Sequence, residues 1–442
     1  MIDSGAAPPS RATVGTASLL ALGVNGIVGV GIFFTPGVLA RLVPGSAGAL
    51  IYLATALLLV PVAWTVAVLG RALPFDGGPA VWARAAFGET TGALVGWVAV
   101  VSALLSAAAV FAGLAQHLTA GSDFPSAAPL TAWATLGALA TIAAFGLSPS
   151  AWTWNALTIA KLVPLTLLLA MAVAKDSPPS PVSPARPPDF GRALLVALFP
   201  LQGFEVVPVL AGSARRGRVA LPVATVGALI AAAVLYASLQ LVCARALPNL
   251  EHEQSPLVAA AGALSGPGFR GLVELGTTVS ALGIAFGMVV MTPRYLAALG
   301  SASSRIARAD VRGTPRTALL LTVAIVGTLA SVQGLESLFV LSSAAVLFQY
   351  VAAIASLFAL SMRRCHGLSP RSALPAALAL GAVGLLVQAV TRKELFGLCL
   401  VLCLGGLVLV LLRRTARREP GGGPQGVPAP SRAPRGSASS DP

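Results

Sequence analysis

Long apolar runs separated by short polar or basic stretches make up most of the chain. They lie at roughly 18–42, 47–69, 92–114, 130–147 and 151–174, then at 193–212, 221–242, 272–291 and 318–332, and last at 335–360, 373–390 and 395–412. A helix needs about 20 apolar residues to cross the roughly 30 Å of bilayer hydrocarbon. The pattern therefore predicts an all-α polytopic membrane protein with about twelve transmembrane helices, numbered below as spans one to twelve. Span nine is the shortest. Two stretches cannot be helical cores. The Pro-rich 177–188 (SPPSPVSPARPP) reads as an extended loop after span five, and the Gly, Pro, Ser and Arg tail beyond Arg418 reads as disordered.

Composition narrows the class. Of 442 residues, 56% are hydrophobic and only 10% charged, and mean hydropathy is +0.85. Soluble domains carry about 25% charged residues. The net charge of +14 comes from basic residues scattered between apolar runs, with no basic domain to hold a phosphate backbone, so nucleic acid is excluded as a partner. The preference for Arg over Lys, with abundant Ala, Gly and Pro, fits a GC-rich bacterial genome. The four cysteines lack the spacing of a disulfide framework or a zinc site. Asp3 and the length of the first run argue against a cleaved signal peptide. With an interior N-terminus and twelve crossings, 20 basic residues fall inside and 8 outside, and Lys161 lies within the membrane. Both termini are expected to be cytoplasmic, in the inner membrane of a bacterium.

Two spans carry helix-breaking residues at the same relative place. Span one contains Gly26-Ile-Val-Gly29-Val-Gly31-Ile-Phe33, three glycines within six residues. Each weakens a helix by about 1 kcal/mol relative to Ala, and backbone freed in lipid must face protein, water or ligand. Alone, the motif reads equally as a close-packing face. Span six contains Phe199-Pro200-Leu201-Gln202-Gly203-Phe204-Glu205. Glu205 is a carboxylate in mid-membrane, where charge costs about 2.5–3.5 kcal/mol and turns to a cavity or a partner. Interrupted helices at matching positions of two halves point to a transporter site. Lys161, midway along span five, is the other deep charge, and its position disfavours snorkelling to the interface.

The ordered motifs resemble the amino acid–polyamine–organocation superfamily, and specifically its amino acid permeases. Gly29-Val-Gly31-Ile-Phe33 is similar to the family's G-x-G-I-F turn. Pro74-Phe-Asp-Gly77-Gly78-Pro-Ala-Val81-Trp82-Ala-Arg84-Ala-Ala-Phe87-Gly88 is similar to its loop after span two. Gly203-Phe204-Glu205 and Leu221-Pro222-Val-Ala224 follow in order, with weaker echoes at Lys161-Leu-Val-Pro164, Pro293-Arg294-Tyr295 after span eight, and Thr314-Pro315-Arg316. The resemblance runs from about Thr16 to Arg364. Asp76 and Ala80 depart from the family's Ser and Tyr, and 213–218 lacks its acidic residue and Asn-Pro pair.

The resemblance implies a LeuT-type fold of two inverted five-helix repeats plus two C-terminal helices. The corresponding division is a cytoplasmic tail (1–16), first repeat (17–174), Pro-rich external loop (175–191), second repeat (192–364), spans eleven and twelve (365–414), and a disordered tail (415–442). It further implies that the amides of Val30 and Gly31 bind a substrate carboxylate, with Gly29 allowing close approach. The carbonyls of Ile27, Phe199 and Gln202 would take the α-ammonium beside Gly203, and Phe199 would form an aromatic gate. Lys161 would replace a sodium ion and Glu205 would sense protonation, so protons are expected partners. No cofactor is implied, and homo-oligomerisation is left open. The absence of a further deep carboxylate favours a neutral amino acid; a cationic amino acid or polyamine bound by Glu205 is the alternative, as is a channel or transport-dead sensor. The three histidines, His117, His252 and His366, lie near span ends or in loops, and His252-Glu253 lacks the second His of a zincin motif, which argues against an intramembrane enzyme.

Overall fold

The computed structural model describes residues 16–29, 31–44, 46–73, 78–120, 127–145, 151–175, 187–209, 217–299 and 314–416, with isolated positions between 299 and 314. The Pro-rich loop, apart from 187–188, and the tail beyond 416 lie outside them. In chain order the helices are α1 (Thr16–Ile27), α2 (Gly31–Leu42), α3 (Ala47–Ala72), α4 (Pro79–Phe87), α5 (Glu89–Thr119), α6 (Ala128–Ala144), α7 (Ala151–Ala174), α8 (Phe190–Leu201), α9 (Val206–Val209), α10 (Gly217–Ala246), α11 (Pro256–Leu299), α12 (Arg316–Val332), α13 (Leu335–Met362), α14 (Leu374–Val387) and α15 (Arg392–Ala416). Among the described residues no strand occurs.

A helix, or a broken pair of helices, occupies each of the apolar runs. Among the described residues, six helical stretches are by themselves long and apolar enough to cross a membrane, and the bent pair α1–α2, taken as one span, makes a seventh. Shorter apolar helices include α6, α8 and α12. The surface agrees with a lipid solvent: large apolar side chains are exposed along many helices, among them Leu50, Leu57, Leu130, Leu320, Leu374 and Phe396, an extent of exposed apolar surface that soluble monomers rarely show. Inside, packing is close and small-residue rich, as membrane helices without a hydrophobic drive between them require. Gly113 of α5 lies under the ring of Phe34, which a Cβ would strike. Buried hydroxyls return to their own helix: Thr55, Thr65, Thr225 and Thr277 each donate to the carbonyl four residues back.

Two elements differ from the sequence expectation. The stretch after span two is not all loop, because Pro79 sits at the first turn after Gly78 (φ 53°) and starts α4. Pro is tolerated there, where its missing N–H has no helical partner anyway. Span eight extends well beyond 272–291. α11 is bent at Ser265 and Gly266 (φ 80°), and its second arm restarts at Pro267 and continues through Pro293 to Leu299. The Ser-Gly-Pro-Gly run and Arg270 lower the local hydropathy without ending the helix, so Pro293-Arg294-Tyr295 lies inside α11 and not after it.

The helices pack in recurrent pairs. α10 lies along α3 and α1; α8 and α9 lie on α3; α5 is flanked by α13, α11, α6 and α12; and α11 is flanked by α7, α12 and α6. This places the two broken spans side by side, with α7 behind them.

Candidate functional site

Span one breaks after Ile27, and α1 and α2 meet at an angle of 49°. A helix end leaves its last carbonyls and the next helix's first amides without intrahelical partners. Span six breaks over Gln202 to Glu205. Pro200 weakens the helix ahead of the break, and Gly203 adopts φ 109°, open to glycine at little cost. The two breaks touch. A Cβ on Gly203 would collide with the Gly26 carbonyl and approach the Ile27 amide at 3.1 Å. On the other side of span one, a Cβ on Gly31 would come within 2.8 Å of the Pro200 Cα. Gly29 differs, with its nearest neighbour, the Ile27 oxygen, at 3.5 Å.

Lys161 reaches this junction from α7. Its Nζ donates to the carbonyls of Val28 at 2.6 Å and Asn25 at 2.8 Å, and the side chain is 6% exposed. Those are carbonyls that the break in span one releases. An ammonium there is favoured twice, by direct bonds and by the negative end of the α1 dipole. The third released carbonyl, Ile27, accepts from the Tyr236 hydroxyl of α10 at 2.8 Å. Tyr236 meets Tyr52 edge-on, with ring centroids 5.6 Å apart, and Tyr52 pairs with the Thr35 hydroxyl. Tyr236 carries no sequence signal beyond being one of four tyrosines. It occupies one acceptor position of the very carbonyl expected to take an α-ammonium.

In span six, the Glu205 carboxylate accepts from the Gly203 amide at 2.9 Å, closing the break on itself. Gln202 donates its backbone N–H toward Leu198 and Phe199, and its side chain reaches Ser343 of α13 at 3.5 Å. Ser343 in turn donates to Leu195 at 2.8 Å. Phe199 stacks on Phe339, centroids 4.5 Å apart, and Phe204 lies 5.7 Å from Tyr350. Span six is thus held to span ten both ahead of its break and within it. Of the sequence-selected residues, Ile27, Gly29, Gly31, Lys161, Phe199, Gln202, Gly203 and Glu205 gather around the two breaks. Val30 lies outside the described residues.

His117, near the end of α5, forms a second polar node. Nδ1 lies 2.7 Å from Ser255 and Nε2 2.9 Å from Thr278. Thr278 donates its own hydroxyl proton to the Glu274 carbonyl, so it accepts from Nε2–H, and a neutral ring then accepts from Ser255 at Nδ1. The node ties α5 to the segment before α11 and to α11 itself, beside Phe34 at 6.1 Å. Hydropathy places His117 at a span end, where nothing marks it as buried. Among the described residues no group of His, Cys, Asp and Glu is arranged to hold a metal ion.

Tightly packed apolar helices around two broken spans define a polytopic membrane protein built about a polar backbone junction. The chain belongs to the amino acid permease family of the amino acid–polyamine–organocation superfamily, whose model matches residues 14–409. It is 25% identical over 297 residues to a serine/threonine exchanger, SteT, of Bacillus subtilis, covering 64% of this chain and 66% of the relative. It is 25% identical over 315 residues to the branched-chain amino acid permease BcaP of Lactococcus lactis, covering 64% and 67%. An uncharacterized transporter of Mycobacterium tuberculosis, Rv1999c, is 26% identical over 408 residues, covering 86% of both chains. The chain thus spans about two thirds of the length of the first two relatives. The family and these relatives are transporters, not enzymes.

Proposed function

We propose that this protein is a secondary transporter of neutral amino acids, working by alternating access between two inverted five-helix repeats, residues 17–174 and 192–364. The observation that carries the reading is the junction itself: the breaks of spans one and six in contact, with Lys161 of span five bonded to the carbonyls that the first break releases. The start of α2 offers unpartnered amides and the positive end of a helix dipole to a carboxylate. The Phe199 and Gln202 carbonyls face an α-ammonium from the other break. Lys161 does the work of a bound cation, so transport is sodium-independent, driven by a proton gradient or by exchange.

The packing supports the repeat. Exchanging the five-span sets maps neighbour onto neighbour: span one on seven becomes six on two, three on ten becomes eight on five, and three on four becomes eight on nine. Two further spans, 365–414, follow the repeats. Both termini face the cytoplasm of a bacterium, a reading supported by the 20 to 8 basic asymmetry that twelve crossings from an interior N-terminus give. A neutral substrate is favoured because Glu205 is engaged at Gly203, and because the relatives carry names for serine, threonine and branched-chain amino acids.

Counterflow in proteoliposomes tests the proposal. Preloading with serine, threonine or a branched-chain amino acid should accelerate uptake of the labelled amino acid, while arginine and putrescine should not. Absence of counterflow for every amino acid would point to a channel or sensor. Counterflow confined to cations would overturn the neutral-substrate reading.

A further inference from the structure

A cavity of about 380 Å³ opens on the surface of the bundle, where the C-terminal part of α3 meets the N-terminal parts of α10 and α14. Its walls are of two kinds. Trp64, Val68 and Val223 are apolar, while Arg71, Arg371 and Ser372 are polar. Among the described residues no carboxylate lines it. Among the described residues neither guanidinium makes an ion pair or a side-chain hydrogen bond.

The apolar side continues beyond the cavity. On α3, Leu50, Leu53, Leu57 and Trp64 are exposed, and steps of three, four and seven residues put them on one helical face. On α10, Val223, Ile230 and Val234 are exposed at the same kind of spacing. Two apolar strips therefore lead from the cavity along the membrane-facing surface. Arg71 lies in the last turn of α3 and Arg371 in the short turn that leads into α14, and both are exposed.

The geometry points to a binding site for an anionic phospholipid, its phosphate held between Arg71 and Arg371 and an acyl chain laid along the α3 strip past Trp64. Two guanidiniums without an ion pair among the described residues, beside an apolar groove, match a molecule with a phosphate head and a hydrocarbon tail. A soluble anion would use the arginines but leave the strip unsatisfied. Arginine presents a planar fork suited to phosphate oxygens, and basic pockets between membrane helices are suited to anionic headgroups. The lipid would bridge α3, α10 and α14. Gly70, next to Arg71, is pressed against Pro208 of α9, so occupancy would brace the inner arm of span six.

Trp64 supplies the reporter. The purified full chain is placed in vesicles of phosphatidylcholine containing either brominated phosphatidylglycerol or brominated phosphatidylcholine at equal mole fraction. Tryptophan quenching should be stronger for the brominated phosphatidylglycerol, by a lipid preference on the order of ten-fold for two arginines. The excess should vanish in Trp64→Phe and in Arg71→Gln/Arg371→Gln, and persist in Arg71→Lys/Arg371→Lys. Equal quenching by both lipids, or an excess retained in the Gln pair, would overturn the proposal. So would loss of the excess on adding inorganic phosphate, which would assign the site to soluble anions. Circular dichroism and size-exclusion profiles confirm folding of each variant, since both arginines are exposed.

Discussion

Gly29 and Gly31 lie two residues apart and face different neighbours. Gly29 has room for a methyl group, whereas Gly31 is pressed against Pro200. Gly29→Ala should therefore fold with stability within about 0.5 kcal/mol of wild type, yet lose uptake if a substrate must approach the backbone there. Gly31→Ala should destabilise by about 1–3 kcal/mol through overpacking. Thermal melts in detergent paired with uptake separate the two effects, and a Gly29→Ala protein that transports normally would count against the backbone site. Lys161 and Glu205 differ in the same way. Lys161→Ala strips the Val28 and Asn25 carbonyls of their donor, at about 1–3 kcal/mol for each buried group left unpaired. Net transport should fall more than substrate affinity, because a tie between helices is removed and no ligand contact. Glu205→Gln keeps an oxygen to accept from Gly203 but removes the charge. It should leave stability near wild type and flatten the dependence of uptake on pH between about 5 and 8; a full pH response in this variant would reduce Glu205 to a backbone cap.

At the level of elements, the starts of α8, α13 and α15 are joined by one arginine. Arg192 donates to Glu336 at 2.5 Å and to Glu394 at 3.1 Å, and Glu394 also accepts from the Thr391 amide and hydroxyl. The side chains are only 18–29% exposed, so the pairing is stronger than a fully solvated one yet weaker than a buried one. Arg192→Gln leaves two carboxylates facing each other. It should cost about 1–3 kcal/mol, read as a lower melting temperature whose deficit shrinks in high salt. The cluster couples the first arm of span six to span ten and to the last helix. The same coupling recurs deeper, where Gln202 and Ser343 join α8 to α13. Span six is therefore anchored to span ten at two depths.

At the scale of the whole molecule, spans of one proposed repeat contact spans of the other, with α3 lying along α10. With five spans in each half, the proposed repeats would run in opposite orientation, and the proposal carries a definite sidedness. In a cysteine-free background, Ser183→Cys in the Pro-rich loop should react with an impermeant maleimide from outside intact cells. Ser437→Cys in the tail should react only after permeabilisation. Labelling of Ser183→Cys from the cytoplasm alone would reverse the topology while leaving the fold untouched.

Sequence by itself determined the membrane class, because apolar length and scarce charge are additive properties that no packing can hide. It also located both breaks, since Gly29, Gly31, Pro200 and Gly203 act on their own backbone through local sterics. The residues that answer those breaks were harder to read. Lys161 was legible because an ammonium in mid-membrane has few other reasons to exist, but its acceptors, Val28 and Asn25, are main-chain atoms that any residue supplies. Tyr236 and His117 were not legible. A tyrosine on an apolar helix or a histidine at a span end acquires its role only from what the tertiary structure brings against it. Likewise, the close approach that keeps Gly31 without a side chain comes from Pro200, 169 positions away in the chain, and only the packed bundle brings the two together.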